Sequence, residues 1–262
     1  MVSQQKSSPR IAFFVTCLVD LFRPSIGFAA LKLLTEAGCE VVVPSQQSCC
    51  GQPAYNAGDR ARAQQIARQV INQFEAYDAV VLPSGSCAGM MVKHYPELLG
   101  DDPEWAERAQ QFASRCYELS VFLVEQMNYH PQSLFCRQKA TYHDSCAGLR
   151  ELGIKNQPRN LLSQVAGLEI LPLPEPDSCC GFGGTFCLKY AEVSTAITDA
   201  KIANIEASGA DLLLAGDLGC LLAMAGRMAR LGKTIEVRHY AEILAGSDRS
   251  HPSIGRELAE GQ

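Results

Sequence analysis

Ser48-Cys49-Cys50-Gly51-Gln52-Pro53 and Ser178-Cys179-Cys180-Gly181-Phe182-Gly183 stand 130 residues apart in a chain of 262. Working outward from them, the chain is written twice. Cys17 precedes the first pair and Cys87 follows it, while Cys146 and Cys220 flank the second, so the four equivalences have offsets of 129, 130, 130 and 133 residues. Asp78 and Asp211 each stand nine residues before the last cysteine of their half. A repeat this long, present twice, reads as a duplicated domain.

Within each half, apolar runs alternate with helical periodicity. Ile11 to Val15, Val41 to Val43 and Ala79 to Leu82 read as strands, and Gly27 to Ala37 and Ala61 to Phe74 as helices, the latter with Ile66, Val70 and Phe74 on one face. Asp102-Pro103-Glu104 reads as a helix start leading toward Arg115. The second half repeats the order, with strands at Ala140 to Tyr142, Glu169 to Leu171 and Leu212 to Leu214 and a helical face from Val193 to Ala207. Strands without polar alternation belong in buried parallel sheets. The expected fold is therefore α/β: two homologous Rossmann-like lobes, 1–127 and 140–245, each a small parallel sheet with helices, related by a pseudo-twofold. Residues 128–139 are expected to link them and 246–262 to form a mobile tail. Pro172, Pro174 and Pro176 are expected to give a stiff, extended approach to the second pair.

Each quartet, Cys17, Cys49, Cys50 and Cys87 or Cys146, Cys179, Cys180 and Cys220, follows the ends of the first three strands of its lobe. In an open parallel sheet those ends face one crevice, so thiols more than 30 residues apart in sequence would converge. Four converging thiols form a soft metal site. Adjacent side chains on an extended backbone point apart, which suits neighbouring irons of one iron–sulfur cluster better than one small ion. Gly51 and Gly181 allow the sharp turn and close approach that such a core needs. Zinc, a thiol–disulfide redox centre and inert buried thiols are the other readings. Zinc is disfavoured because structural sites commonly use C-x2-C knuckles.

Composition narrows the field. The chain is 47% hydrophobic and 19% charged with a formal net charge of -5, so nothing in it favours nucleic acid as partner. Twelve cysteines in a chain of this length point away from a disulfide framework and toward reduced thiols in the cytoplasm. Ile11 to Val19 is apolar but broken by Asp20 and Arg23, and is read as a first strand, not a signal peptide. No apolar run is long enough to span a membrane.

Phe14-Val15-Thr16-Cys17-Leu18-Val19-Asp20, Cys49-Cys50-Gly51-Gln52-Pro53-Ala54-Tyr55-Asn56, Pro83-Ser84-Gly85-Ser86-Cys87 and Cys179-Cys180-Gly181-Phe182-Gly183-Gly184-Thr185-Phe186 resemble the lactate utilisation protein A family across nearly the whole chain. That family is similar to proteins with duplicated cysteine-rich (CCG) domains, among them the B subunit of heterodisulfide reductase and the C subunit of anaerobic glycerol-3-phosphate dehydrogenase. The resemblance implies an iron–sulfur electron-transfer subunit of a complex that oxidises L-lactate to pyruvate, with other iron–sulfur subunits as partners. A heterodisulfide-reductase-like thiol/disulfide subunit and a zinc-stabilised structural protein are the alternatives. The wider group's fullest pattern ends each array in C-x-x-C, whereas Met90 and Ala223 stand here, which leaves open whether a [4Fe-4S] cluster is cubane or not, and whether one or two are bound.

Several residues need separate readings. Cys187 is a candidate fifth ligand for the second site, with helix-start packing as the alternative. His143 stands where the first half has Phe14, and is read as strand-end packing or a hydrogen-bond partner of the cluster, ahead of an activator of Cys146. His239 is read as surface or capping, Met90 and Met91 as packing, and Cys39, Cys116 and Cys136 as buried thiols. Gly181 to Gly184 lacks the G-x-G-x-x-G spacing, so no NAD, flavin or ATP site is expected.

Overall fold

The computed structural model describes residues 8–132, 134–246 and 251–256. Strands β1 (Arg10–Phe13), β2 (Glu40–Val42), β3 (Ala79–Leu82) and β4 (Cys116–Glu118) form a parallel sheet in the order β2-β1-β3-β4. Strands β5 (Phe135–His143), β6 (Ala166–Leu171), β7 (Leu212–Ala215) and β8 (Glu236–His239) repeat it as β6-β5-β7-β8. Strands β3 and β7 are buried along their whole length, as the absence of alternation required. Strand order reverses between β1 and β3 and again between β5 and β7, which opens a crevice at the carboxyl ends of each pair.

The helix Arg60–Phe74 shows how the sequence builds a lobe. Asp59 caps it by accepting a hydrogen bond from the Arg62 N–H at 3.0 Å, and Ala63, Ala67, Val70, Ile71 and Phe74 are buried along one face. Fully burying each of the larger side chains is worth about 1.5–3 kcal/mol. The lobes share an apolar core. Helix Pro24–Glu36, which follows β1, packs on helix Tyr240–Leu244, which follows β8. A buried ion pair joins the same elements, Arg23 Nε to Glu242 Oε1 at 3.0 Å, with the Ser25 hydroxyl donating to the same oxygen at 2.8 Å.

Four expectations change. Strand β5 begins at Phe135, inside the stretch 128–139 expected to be linker, because its alternation of exposed and buried residues lets an edge-like start continue into the sheet. The helix expected from Asp102 begins at Ala106 and ends at Ala113, since Asp102 spends its carboxylate and carbonyl on the turn that precedes it. In the expected tail, residues 251–256 pack against β8. The Ile254 N–H donates to the Val237 carbonyl and the Val237 N–H to the Ser253 hydroxyl, and both Ser253 and Ile254 are buried. The rest of that tail, 247–250 and 257–262, lies outside the described residues. Finally, the approach to the second cysteine pair is bent, not extended. Glu175 takes φ +46°, and the buried Lys201 ammonium gathers the turn by donating to the carbonyls of Glu175 and Pro176 and to the Ser178 hydroxyl at 3.1–3.3 Å.

Two cysteine quartets as a candidate metal centre

All eight cysteines lie just past the carboxyl ends of strands. Cys17 opens the helix Cys17–Phe22 after β1, with Thr16 before it at φ +68°, a strained conformation for a β-branched residue. Cys49 and Cys50 close the loop after β2, and Cys87 sits in the helix Gly85–Gly89 after β3. Cys146, Cys179 with Cys180, and Cys220 follow β5, β6 and β7 in the same way.

Folding brings each quartet together. Cys17 Sγ lies 3.9 Å from Cys49 Sγ, and Cys50 Sγ 3.4 Å from Cys87 Sγ. Cys50 also interacts with Cys49, so the four thiols influence one another in sequence order. In the second quartet Cys146 interacts with Cys179, Cys179 with Cys180 and Cys180 with Cys220, the last two sulfurs lying within 4.8 Å of each other. Cys50, Cys87, Cys180 and Cys220 are buried, Cys17, Cys49 and Cys179 half-buried, and Cys146 exposed. Such crowding redistributes protons. Hydrogen bonds from Cys17 and Cys50 pull the Cys49 thiol far down, and those from Cys146 and Cys180 do the same to Cys179. Their donors Cys17, Cys50, Cys146 and Cys180 are pushed well up. A thiol held down in this way favours the thiolate, the form that binds metal.

The backbone around the pairs is fixed from outside. Gly51 and Gly181 adopt φ +85° and +87°, the left-handed region open to glycine. Gly181 N–H points at Cys179 Sγ at 3.4 Å. The Tyr95 hydroxyl holds the Cys50 carbonyl at 2.9 Å, and the Thr198 hydroxyl holds that of Cys180 at 2.9 Å. Gln47 bridges the first loop to β1, accepting from the Val15 N–H at 2.9 Å and donating to the Phe13 carbonyl at 3.0 Å.

The two sites also meet. Ser84 caps the Cys87 helix and Asp217 caps the helix Leu218–Arg230 that carries Cys220. Asp217 accepts from the Ser84 hydroxyl at 3.1 Å and the Ser86 N–H at 3.0 Å while also capping Gly219 at 3.2 Å. A cavity of about 330 Å³ opens on all four cysteines of the first quartet, and its far wall comes from the second lobe, with Phe182, Cys187 and Leu218. Cys187, expected as a candidate ligand of the second site, therefore faces the first, its thiol donating to the Gly184 carbonyl at 3.1 Å.

Met90 and Met91 are wholly buried packing residues, and Cys39, Cys116 and Cys136 are buried. His239 is a cap, as read, but sits in the interior, its Nδ1 accepting from the Ala241 N–H at 3.2 Å. Sequence reasoning missed Gln47, Lys201 and Asp217. Only Asp217 left a signal, since it stands three residues before Cys220 as Ser84 does before Cys87. Among the described residues, no helix is long and apolar enough to cross a membrane.

Comparison with known proteins agrees with the duplication. Residues 11–92 and 140–225 each match the CCG cysteine-rich domain. Lactate utilization protein A of Shouchella clausii is 47% identical over 89% of this chain and 98% of its own length, and that of Geobacillus kaustophilus 47% over 90% and 98%. The crystal structure of a hypothetical protein from Helicobacter pylori superposes with a TM-score of 0.67 at 14% identity, over 94% of this chain and 52% of that one, a likeness of fold alone. The chain belongs to the lactate utilization protein A family and carries the CCG cysteine-rich domain twice.

Proposed function

We propose that this chain is an iron–sulfur electron-transfer subunit of a complex that oxidises L-lactate to pyruvate. The single observation that carries the reading is the convergence of two equivalent cysteine quartets in a chain that shares nearly half its residues with lactate utilization protein A. The donor set fits such a group: soft thiols, two of each quartet buried, glycines at the closest approach and an amide N–H aimed at sulfur. Cys17, Cys49, Cys50 and Cys87 would hold one cluster, and Cys146, Cys179, Cys180 and Cys220 another.

Oxidation of lactate to pyruvate releases two electrons and two protons. A bound cluster supplies a one-electron carrier whose potential follows its charge, hydrogen bonding and burial. The chain's own part is to fix the sulfurs, exclude water through the buried cysteines, and bring the two sites together through Ser84 and Asp217. Lactate binding and further carriers fall to partner iron–sulfur subunits.

One observation favours a second reading. Sulfurs on a single tetrahedral zinc lie roughly 3.8 Å apart, given zinc–sulfur bonds of about 2.3 Å, close to the 3.4 and 3.9 Å found in the first quartet. Metal analysis of anaerobically purified protein separates the two. Iron with an equal amount of acid-labile sulfide, and a visible absorbance bleached by a reductant, is the expected result. Stoichiometric zinc without sulfide would remove the electron-transfer reading.

A further inference from the structure

His143 ends β5 at the position that Phe14 holds after β1, three residues before the leading cysteine of its quartet. Phe14 stacks in the first lobe's core against Phe74, with ring centroids 5.4 Å apart. His143 is equally inaccessible, at 1% exposure, yet neither of its ring nitrogens has a hydrogen-bond partner among the described residues. Leaving a buried polar group unsatisfied costs about 1–3 kcal/mol, and a sheet end that needed only bulk would keep phenylalanine. A ring nitrogen of His143 and the sulfurs of Cys180 and Cys220 all lie within 4.8 Å of one another. Donors sharing one ion sit roughly 3.3–4 Å apart at ordinary metal–nitrogen and metal–sulfur bond lengths, so small side-chain rotations close the difference.

We propose that His143 is a direct metal ligand of the second centre, on its Cys180–Cys220 side, making that centre a mixed sulfur–nitrogen site while the first is bound by sulfur alone. The inference rests on the metal-centre reading above and assigns this residue a role beyond the eight cysteines. Neutral imidazole adds a ligand to the four cysteines without adding negative charge.

The test uses the full chain carrying Cys50→Ser, which isolates the second centre, labelled with 15N-histidine and loaded anaerobically with iron and sulfide. Pulsed electron paramagnetic resonance of the reduced protein is expected to show the strong nitrogen coupling of a bound imidazole. His143→Phe, which installs the first lobe's own residue, is expected to abolish that coupling, and His143→Gln serves should phenylalanine prevent loading. Iron bound with no histidine coupling, with only the weak coupling of an N–H donor to sulfur, or with a strong coupling that survives in both variants overturns the inference and leaves the electron-transfer reading intact. Failure to bind iron at all overturns both.

Discussion

Around the first quartet, Phe14 closes the strand end and Ile66 stands over Gly51, whereas around the second His143 takes the first place and Thr198 and Ser194 crowd Gly181. Lys201, also buried, adds a cation whose charge is felt by Cys179 and Cys180. The first site faces a cavity shared between lobes; its neighbour has polar and charged groups packed against it. Duplication has preserved the backbone trace, because strand ends and a left-handed glycine are what make the sulfurs meet. The groups behind that trace have diverged in polarity, so two sites of one geometry are free to differ in charge and potential.

The coarsest way to break the comparison is to remove one site at a time. Cys50→Ser and Cys180→Ser are each expected to cost about half the iron and sulfide, since the quartets draw on separate strands and share no sulfur. Iron counting on the two variants checks this, and full iron in either one refutes the ligand assignment.

Next in size is the turn after each pair. A Cβ at Gly51 would meet Ile66 Cγ2 at 3.2 Å, but at Gly181 it would lie 2.3 Å from Thr198 Oγ1 and 2.6 Å from the Ser194 carbonyl. Both alanine variants bear the left-handed penalty of about 1–2 kcal/mol, and overpacking adds about 1–3 kcal/mol at the second. Gly181→Ala should thus melt well below Gly51→Ala. Equal melting temperatures would mean that the second pair is no more tightly enclosed than the first.

The skeleton of this asymmetry was legible in the sequence. The 130-residue offset gave the duplication, and unalternated strands gave buried parallel sheets whose ends carry the cysteines. What was not legible depended on long-range contacts with no periodic signature. Lys201 lies on the buried face of its helix with Ser194, Thr198, Ile202 and Ile205, whereas the apolar face read from Val193 to Ala207 is largely exposed, and Lys201 bends a proline-rich segment that by itself reads as extended. Cys187 is six residues from Gly181 in sequence, yet it reaches the other lobe's cavity because the glycines at 183 and 184, both at positive φ, turn the chain away.

A finer contrast lies at Glu118 and His239, which end the fourth strand of each lobe and cap the helix that follows. Burial acts on both with opposite sign. It raises Glu118 despite hydrogen bonds from Ser120, Val121 and Tyr240, so the native carboxyl keeps its proton above 4.5 where the unfolded one loses it, and stability falls as pH rises through that window. It lowers His239 to about 4, so between pH 6.5 and 4 the unfolded chain takes up a proton that the native chain refuses, and stability falls as pH falls. Glu118→Gln is expected to flatten the first slope and His239→Asn the second, the latter by roughly 3 kcal/mol across its window. Denaturant unfolding at a series of pH values measures both, and matching slopes in variant and parent would show that neither cap titrates with folding.

The smallest expected effect concerns a cysteine outside the repeat. Cys136 is buried in β5 with its thiol directed at Gln138 Oε1, 3.6 Å away. Cys136 lies near the start of that strand and the quartet past its far end, since Cys146 follows His143. At about 3.3 Å per strand residue, seven residues of β5 put some 20 Å between Cys136 and His143, far beyond any metal–sulfur bond. Serine keeps the volume and can donate to the same glutamine, so Cys136→Ser should leave iron, sulfide and absorbance unchanged and alter stability by about 1 kcal/mol or less. Loss of iron in this variant would mean that metal binding depends on the lobe's general packing, and the contrast between the two quartets would then lose its claim to report on ligands.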